Sequence, residues 1–186
     1  MSEILEGIDS YSAPSFSLKN RIMRLLWNFT CLLLFRPSLW FMNGWRSGLL
    51  RLFGAKIGRG CTVKATVKIW APWNLEMEDL ACLADNVTVY SMAMIKLGKK
   101  SIVSQGAHLC AGTHDFESQN FQLYSKPITI GADAWVCAEA FVGPGVTVGE
   151  GAVLGARGVA MKDLPAWTVC AGNPCKPIRA RVMKGA

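Results

Sequence analysis

A parallel β-helix built from three-sided coils is the fold that this sequence predicts, and three observations predict it. Ile130, Val136, Val142, Val148, Leu154 and Ala160 recur at a spacing of six. That period fits neither an amphipathic helix nor a lone alternating strand, so it requires a repeating unit of one short strand and one corner. The residue after each is Gly131, Cys137, Gly143, Gly149, Gly155 or Met161, mostly glycine, as a tight corner that penalises a Cβ prefers. Four residues after the first five stand Ala134, Ala140, Val146, Ala152 and Gly158, small enough for coils that stack closely.

The same frame, followed toward the N-terminus, recovers Ile57, Val63 and Ile69, then Met77, Leu83 and Val89, then Leu97, Val103 and Leu109. Successive sets are separated by gaps of eight, eight and twenty-one residues, which places every insertion at one corner of the triangle. About five coils result, at 57–74, 77–94, 97–114, 130–147 and 148–165. Their inward aliphatic residues bury apolar surface along one axis, at roughly 25 cal/mol per Å². The chain divides into a helical cap region (1–56), the β-helix (57–165) with a protruding loop (112–127), and a short C-terminal tail (166–186).

Composition agrees with one folded domain: 186 residues, 51% hydrophobic and 18% charged, too apolar for a disordered chain. Cys31, Cys61, Cys82, Cys110, Cys137, Cys170 and Cys175 include no pair at metal-ligand spacing. They read as small buried hydrophobes in a reducing cytoplasm, and no metal is expected. The first seventeen residues carry Glu3, Glu6 and Asp9 and no basic residue, the wrong sign for the start of a secretory signal. The apolar run Ile22–Phe35 contains Arg24 and stops at Arg36-Pro37, too short to span a bilayer.

Residues 18–60 hold eight basic residues and no acidic one, alternating with Trp27, Phe29, Phe35, Trp40, Phe41 and Trp45. An open β-helix end must be covered, and Leu49, Leu50, Leu52 and Phe53 lead straight into the first repeat, so a cap on the first coil is the preferred reading. Contact of residues 18–53 with an anionic membrane surface is an addition to it. Nucleic acid is not an expected partner, because no recognition motif accompanies the charge.

The longest interruption, 112–127, leaves the prism between the third and fourth coils, where a rigid scaffold can position an exposed functional loop. His114 stands at its root and is one of only two histidines. An imidazole near neutral pH can take a proton from a hydroxyl, which makes His114 the candidate general base, with a plain corner histidine as the alternative. His108 lies six residues earlier, a spacing that puts both along one face.

The repeats, the Gly-Thr-His-Asp at 112–115, the Pro-Ile-Thr-Ile-Gly at 127–131 followed by Trp135, and Lys162-Asp163 with Ala171-Gly-Asn-Pro-Cys-Lys176 together resemble the hexapeptide-repeat acyltransferases. Within them the chain is most similar to colanic acid biosynthesis and other sugar O-acetyltransferases, through Arg-Pro-Ser-Leu-Trp-Phe at 36–41 and Trp-Asn-Leu-Glu at 73–76. The resemblance spans about residues 36–181. It implies a left-handed parallel β-helix, a homotrimer with active sites between subunits, and acetyl-CoA as co-substrate. It implies an acceptor hydroxyl on a sugar or lipid-linked oligosaccharide of an exopolysaccharide pathway, in the cytoplasm or peripherally at the inner membrane face.

In such families the histidine at the loop's base deprotonates the acceptor, which attacks the thioester directly; here that is His114. Asp115 either orients an imidazole or binds sugar hydroxyls, and Glu117 likewise. Ala138 matches the position whose amide stabilises the oxyanion. Lys162, Lys176 and Arg179, with Arg181 beside them, match cations that meet the coenzyme phosphates, the alternative being a solvated basic tail. Ala156 and Gly172 fall where small residues flank the pantetheine arm. Trp135 counts among the coenzyme contacts, and for it and Trp167 the trimer seam and the core are alternatives. Relatives carry an acceptor-touching asparagine where this chain has Ala84, which leaves Asn86, two residues along, as the candidate. Met161 and Pro177 replace a usual threonine or valine.

Three rival functions compete. A metal hydratase like the γ-class carbonic anhydrases needs three histidines, and the chain has two. A non-catalytic β-helix scaffold is opposed by His114 and the cationic tail. Acetyl transfer to an amino sugar or a xenobiotic uses the same donor machinery and differs only in the acceptor pocket.

Overall fold

The computed structural model describes residues 4–183; Glu3 and the outermost ends of the 1–56 and 166–186 regions lie outside the described residues. Strands run in coils of three. The first coil is β1 (Lys56–Ile57), β2 (Thr62–Val63) and β3 (Lys68–Ile69); the second is β4 (Leu75–Met77), β5 (Cys82–Leu83) and β6 (Thr88–Tyr90). The third is β7 (Ile95–Leu97), β8 (Ile102–Val103) and β9 (His108–Cys110). A hairpin, β10 (Gly112–His114) and β11 (Leu123–Ser125), then leaves the prism. The fourth coil is β12 (Ile128–Ile130), β13 (Trp135–Val136) and β14 (Phe141–Val142), and the fifth is β15 (Thr147–Val148), β16 (Val153–Leu154) and β17 (Val159–Ala160).

Parallel pairing of successive coils makes three flat faces: β1-β4-β7-β12-β15, β2-β5-β8-β13-β16 and β3-β6-β9-β14-β17. All the insertions fall on the edge where the third face returns to the first. Here the three-residue inward alternation does its work: Val63, Leu83, Val103, Val136 and Leu154 are fully buried in register on the second face. The small residues four positions on, Ala134, Ala140, Val146 and Ala152, are buried as well.

The corner glycines act differently from a turn requirement. Left-handed backbone falls three residues after the inward aliphatic residue, at Leu80, Asn86, Lys100, Asp133, Glu139 and Arg157. Glycine in the first corner position is required by the next coil. A Cβ on Gly98 would meet the amide of Ala132 at 2.5 Å, and one on Gly131 that of Glu150 at 2.5 Å.

The tail also departs from the expected end at residue 165. Leu164 bridges Val148, and β18 (Thr168–Ala171) pairs in parallel with β16, setting Cys170 beside Leu154. Two sides of a sixth coil therefore form before β19 (Lys176–Ala180) turns back antiparallel on β18. The frame slips from six to four residues between Ala160 and Leu164, then resumes at six to Cys170.

At the other end, helix α1 (Leu18–Thr30) runs through a π-helical turn (Cys31–Phe35) to α2 (Asn43–Leu52). Trp27, Phe35, Leu49 and Leu50 join the core of the first coil. Each open edge of that coil receives a side-chain donor. Arg51 Nη2 donates to Ile57 O at 2.7 Å, Arg46 Nε to Val63 O at 2.6 Å, and Trp27 Nε1 to Ile69 O at 2.7 Å. Asn43 adds a reciprocal pair, accepting from Val63 N and donating to Cys61 O. Unpaired strand edges are thereby closed without another strand.

Candidate functional site

His114 closes β10, opposite Leu123 of β11. Its Nδ1 lies 2.8 Å from the carbonyl oxygen of Phe121, and its ring stacks on the Phe121 ring at 4.3 Å and 15°. A carbonyl only accepts, so Nδ1 carries the proton and the neutral imidazole keeps its lone pair on Nε2, the tautomer a general base needs. Phe121 thus holds the histidine from two sides, and its own backbone is left-handed at φ 46°. Tyr11 stacks on Phe121 at 5.5 Å, and Gln122 accepts from Gly7 N and donates to Leu5 O. The N-terminal arm therefore braces the hairpin. Sequence reading missed Phe121 and Tyr11, because a backbone carbonyl and a long-range ring stack leave no motif.

The carboxylate of Asp115 accepts from Glu117 N at 3.2 Å, within the loop, so the imidazole takes its orientation from Phe121 and not from Asp115. Glu117 is exposed beside it. His108 belongs to β9 of the third face, whereas His114 belongs to the hairpin outside the prism. His108 sits half-buried between the rings of Tyr90 and Phe141, and burial pushes its pKa below the ordinary value.

Ala138, Ala156 and Gly172 follow Val136, Leu154 and Cys170 by two residues each, and those three are register partners on successive coils. They form one column of small residues on the edge between the second and third faces. The Ala138 carbonyl accepts from Arg157 N at 2.9 Å, while its N–H has no acceptor among the described residues. Trp135 stands on the adjoining second face, 44% exposed, and donates from Nε1 to Ser104 Oγ at 2.8 Å. Asn86 lies on this same edge two coils away, donating its N–H to Thr66 Oγ1.

Lys162 and Lys176 line one groove of about 390 Å³ with Met161 and Pro177. Arg179 lies outside it on β19, opposite Val169, its Nη1 donating to Ala180 O. Arg181 is a structural residue, with Nη1 donating to Asp133 O and Gly151 O. His114 and Lys162 thus share the edge between the third and first faces. The Ala138 column occupies a different edge of the prism, so one chain does not bring His114 and the column together.

Over 179 residues, 96% of this chain and 98% of the relative, the sequence is 42% identical to a protein of Escherichia coli (strain K12) named as the colanic acid biosynthesis acetyltransferase WcaF. The chain belongs to the hexapeptide-repeat acetyltransferases. It is 28% identical to the galactoside O-acetyltransferase of Escherichia coli (strain K12), over 72% of this acetyltransferase and 68% of that one. Among solved structures, a galactoside acetyltransferase in complex with coenzyme A superposes with a TM-score of 0.78 at 25% identity, covering 90% of this chain and 84% of that one. A maltose O-acetyltransferase from Clostridium difficile 630 superposes with a TM-score of 0.82 at 22% identity, over 90% of each chain. This acetyltransferase shares their left-handed parallel β-helix. No family model matches the chain.

Proposed function

We propose that this acetyltransferase moves the acetyl group of acetyl-CoA to a hydroxyl of a sugar in an exopolysaccharide precursor, with His114 as general base. The observation that carries the reading is the His114 Nδ1–Phe121 carbonyl bond, which places the lone pair of the neutral imidazole on Nε2. Nε2 takes the proton of the acceptor hydroxyl as its oxygen bonds to the thioester carbon. The oxyanion that forms is met by the Ala138 N–H. Collapse breaks the C–S bond, and the imidazolium returns its proton to the departing thiolate. Acetyl-CoA fits the chain's own features: the small column Ala138, Ala156 and Gly172 leaves room for a pantetheine arm, and Lys162 and Lys176 offer charge to its phosphates. Arg179 joins them only if β19 meets the coenzyme from its outer side.

Base and column on different edges support a homotrimer in which each active site takes His114 from one copy and the column from its neighbour. Asn86 and Glu117 are then acceptor-side residues approaching from two chains. Relatives named for colanic acid biosynthesis and for galactoside acetylation favour a saccharide acceptor. Residues 18–53 hold the enzyme peripherally on the cytoplasmic face of a membrane, where lipid-linked precursors are available; no helix among the described residues is long and apolar enough to cross one.

Calorimetric titration of acetyl-CoA, followed by thiol release with a panel of saccharides, tests the proposal. Binding with sugar-stimulated release is expected, and release should fall by about two to four orders of magnitude in His114→Ala. Absence of coenzyme binding would overturn the donor, and unchanged turnover in His114→Ala would overturn the base.

A further inference from the structure

Helix α1 is apolar on both of its sides. The inner side, Trp27 with Phe35 beyond it, is buried on the first coil. The outer side is open among the described residues: Leu25, Phe29, Leu32 and Leu33 are 56%, 58%, 61% and 65% exposed, and Trp40 beyond them is 85% exposed. A contiguous stripe of that size on a protein surface marks an interaction site.

The charges around the stripe say what covers it. Of the eight basic residues in 18–60, Arg46 and Arg51 are taken up by strand-edge carbonyls. Lys56 and Arg59 pair with Glu76 and Asp79. Lys19, Arg21, Arg24 and Arg36 have no carboxylate partner among the described residues. A second copy would bring the same cations, so like charge opposes self-docking, whereas an anionic surface is complementary.

Beside the stripe, between α1 and the third face, lies a groove of about 340 Å³ whose lining includes Arg24, Arg36, Lys68, Asn28 and Trp70. Arg24 spreads its guanidinium 4.1 Å from the Trp70 ring, and partial burial pushes its pKa below the ordinary value. The three cations lining this groove meet no carboxylate there, and its chemistry is that of a phosphate receptor.

We propose that the outer face of α1 and the π-helical turn dock on an anionic phospholipid bilayer, with the phosphate of an anionic lipid, whose charge no choline offsets, seated between Arg24, Arg36 and Lys68. The inference rests on the peripheral membrane contact and adds to it the inserting face and the lipid chemistry. The helix lies in the interface, its leucines and Phe29 entering about 5–10 Å, while Trp40 sits at headgroup level.

The test is co-sedimentation of the full chain with phosphatidylcholine vesicles and with vesicles that also contain phosphatidylglycerol. Wild type should favour the anionic vesicles. Arg36→Gln with Lys68→Gln should lower that affinity by about thirtyfold and leave zwitterionic binding unchanged. Phe29→Ser with Leu33→Ser, at exposed positions, should lose binding to both vesicles while coenzyme binding stays intact. Equal binding of wild type to both vesicles, or a preference retained in the Arg36/Lys68 variant, would overturn the phosphate seat and leave the contact standing. No binding to either vesicle would overturn the contact itself, and dissociation of larger assemblies in the Phe29/Leu33 variant would then assign the face to a second copy. Inorganic phosphate at millimolar concentration should not compete; full competition would make the groove a free-phosphate site.

Discussion

If each active site joins the His114 edge of one copy to the Ala138 column of its neighbour, two inactive chains should repair each other. One chain carries His114→Ala. The other carries Ala156→Trp, which fills the column at an exposed corner where a large side chain meets solvent and not the core. Each parent should lose about two to four orders of magnitude in acetyl transfer. Co-expressed with two different tags and purified through both, the chains give only mixed trimers. Around a three-fold ring every mixed trimer, whichever chain is doubled, has one junction where an intact His114 faces an intact column. About one third of wild-type activity should therefore return. A site complete within one chain predicts no recovery. Mixed trimers as inactive as their parents would refute the argument from the two edges, whatever the chemistry of His114.

Replacing Lys162 and Lys176 with glutamine should raise the acetyl-CoA dissociation constant about tenfold and flatten its salt dependence; an unaltered salt response would return both to a solvated role. Arg46 is fully buried and serves Val63 O, Leu39 O and Trp40 O, with no carboxylate partner among the described residues. Arg46→Met should cost about 3 kcal/mol in urea unfolding by leaving those acceptors without a donor, and a loss below about 1 kcal/mol would mean that water replaces the guanidinium. His108 has a depressed pKa in the folded state, so the unfolded chain binds the extra proton first. Its contribution is present above the ordinary histidine range and is lost as pH falls through the folded value. His108→Phe should remove that part of the acid sensitivity, read as a smaller drop in unfolding midpoint between about pH 7.5 and 5.5.

The period of six, with small residues four positions on, was enough to define the coils, their three faces and the edge that takes every insertion. Inward packing in a β-helix is local and repeats within each coil, so each strand in the regular frame declares itself in its own six residues. Leu164 and Cys170 obey the same spacing, but the slip of two residues before Leu164 hid the sixth coil. His114 was legible because it roots the one long interruption in a chain with two histidines. What the sequence could not declare were the groups that act through the backbone or across long separations. The Phe121 carbonyl that sets the tautomer, and the Tyr11 ring that braces it, belong to this kind. So do Arg46, Arg51 and Trp27: the sequence read their segment as a cap on the first coil, and only the fold shows that these three side chains meet its strand-edge carbonyls. Sequence alone determined the coil and singled out His114 as the candidate base. Tertiary structure decided how that imidazole is held, which cations have no carboxylate partner among the described residues, and that His114 and the small-residue column stand on different edges, because each of these depends on where corners far apart in the chain come to rest.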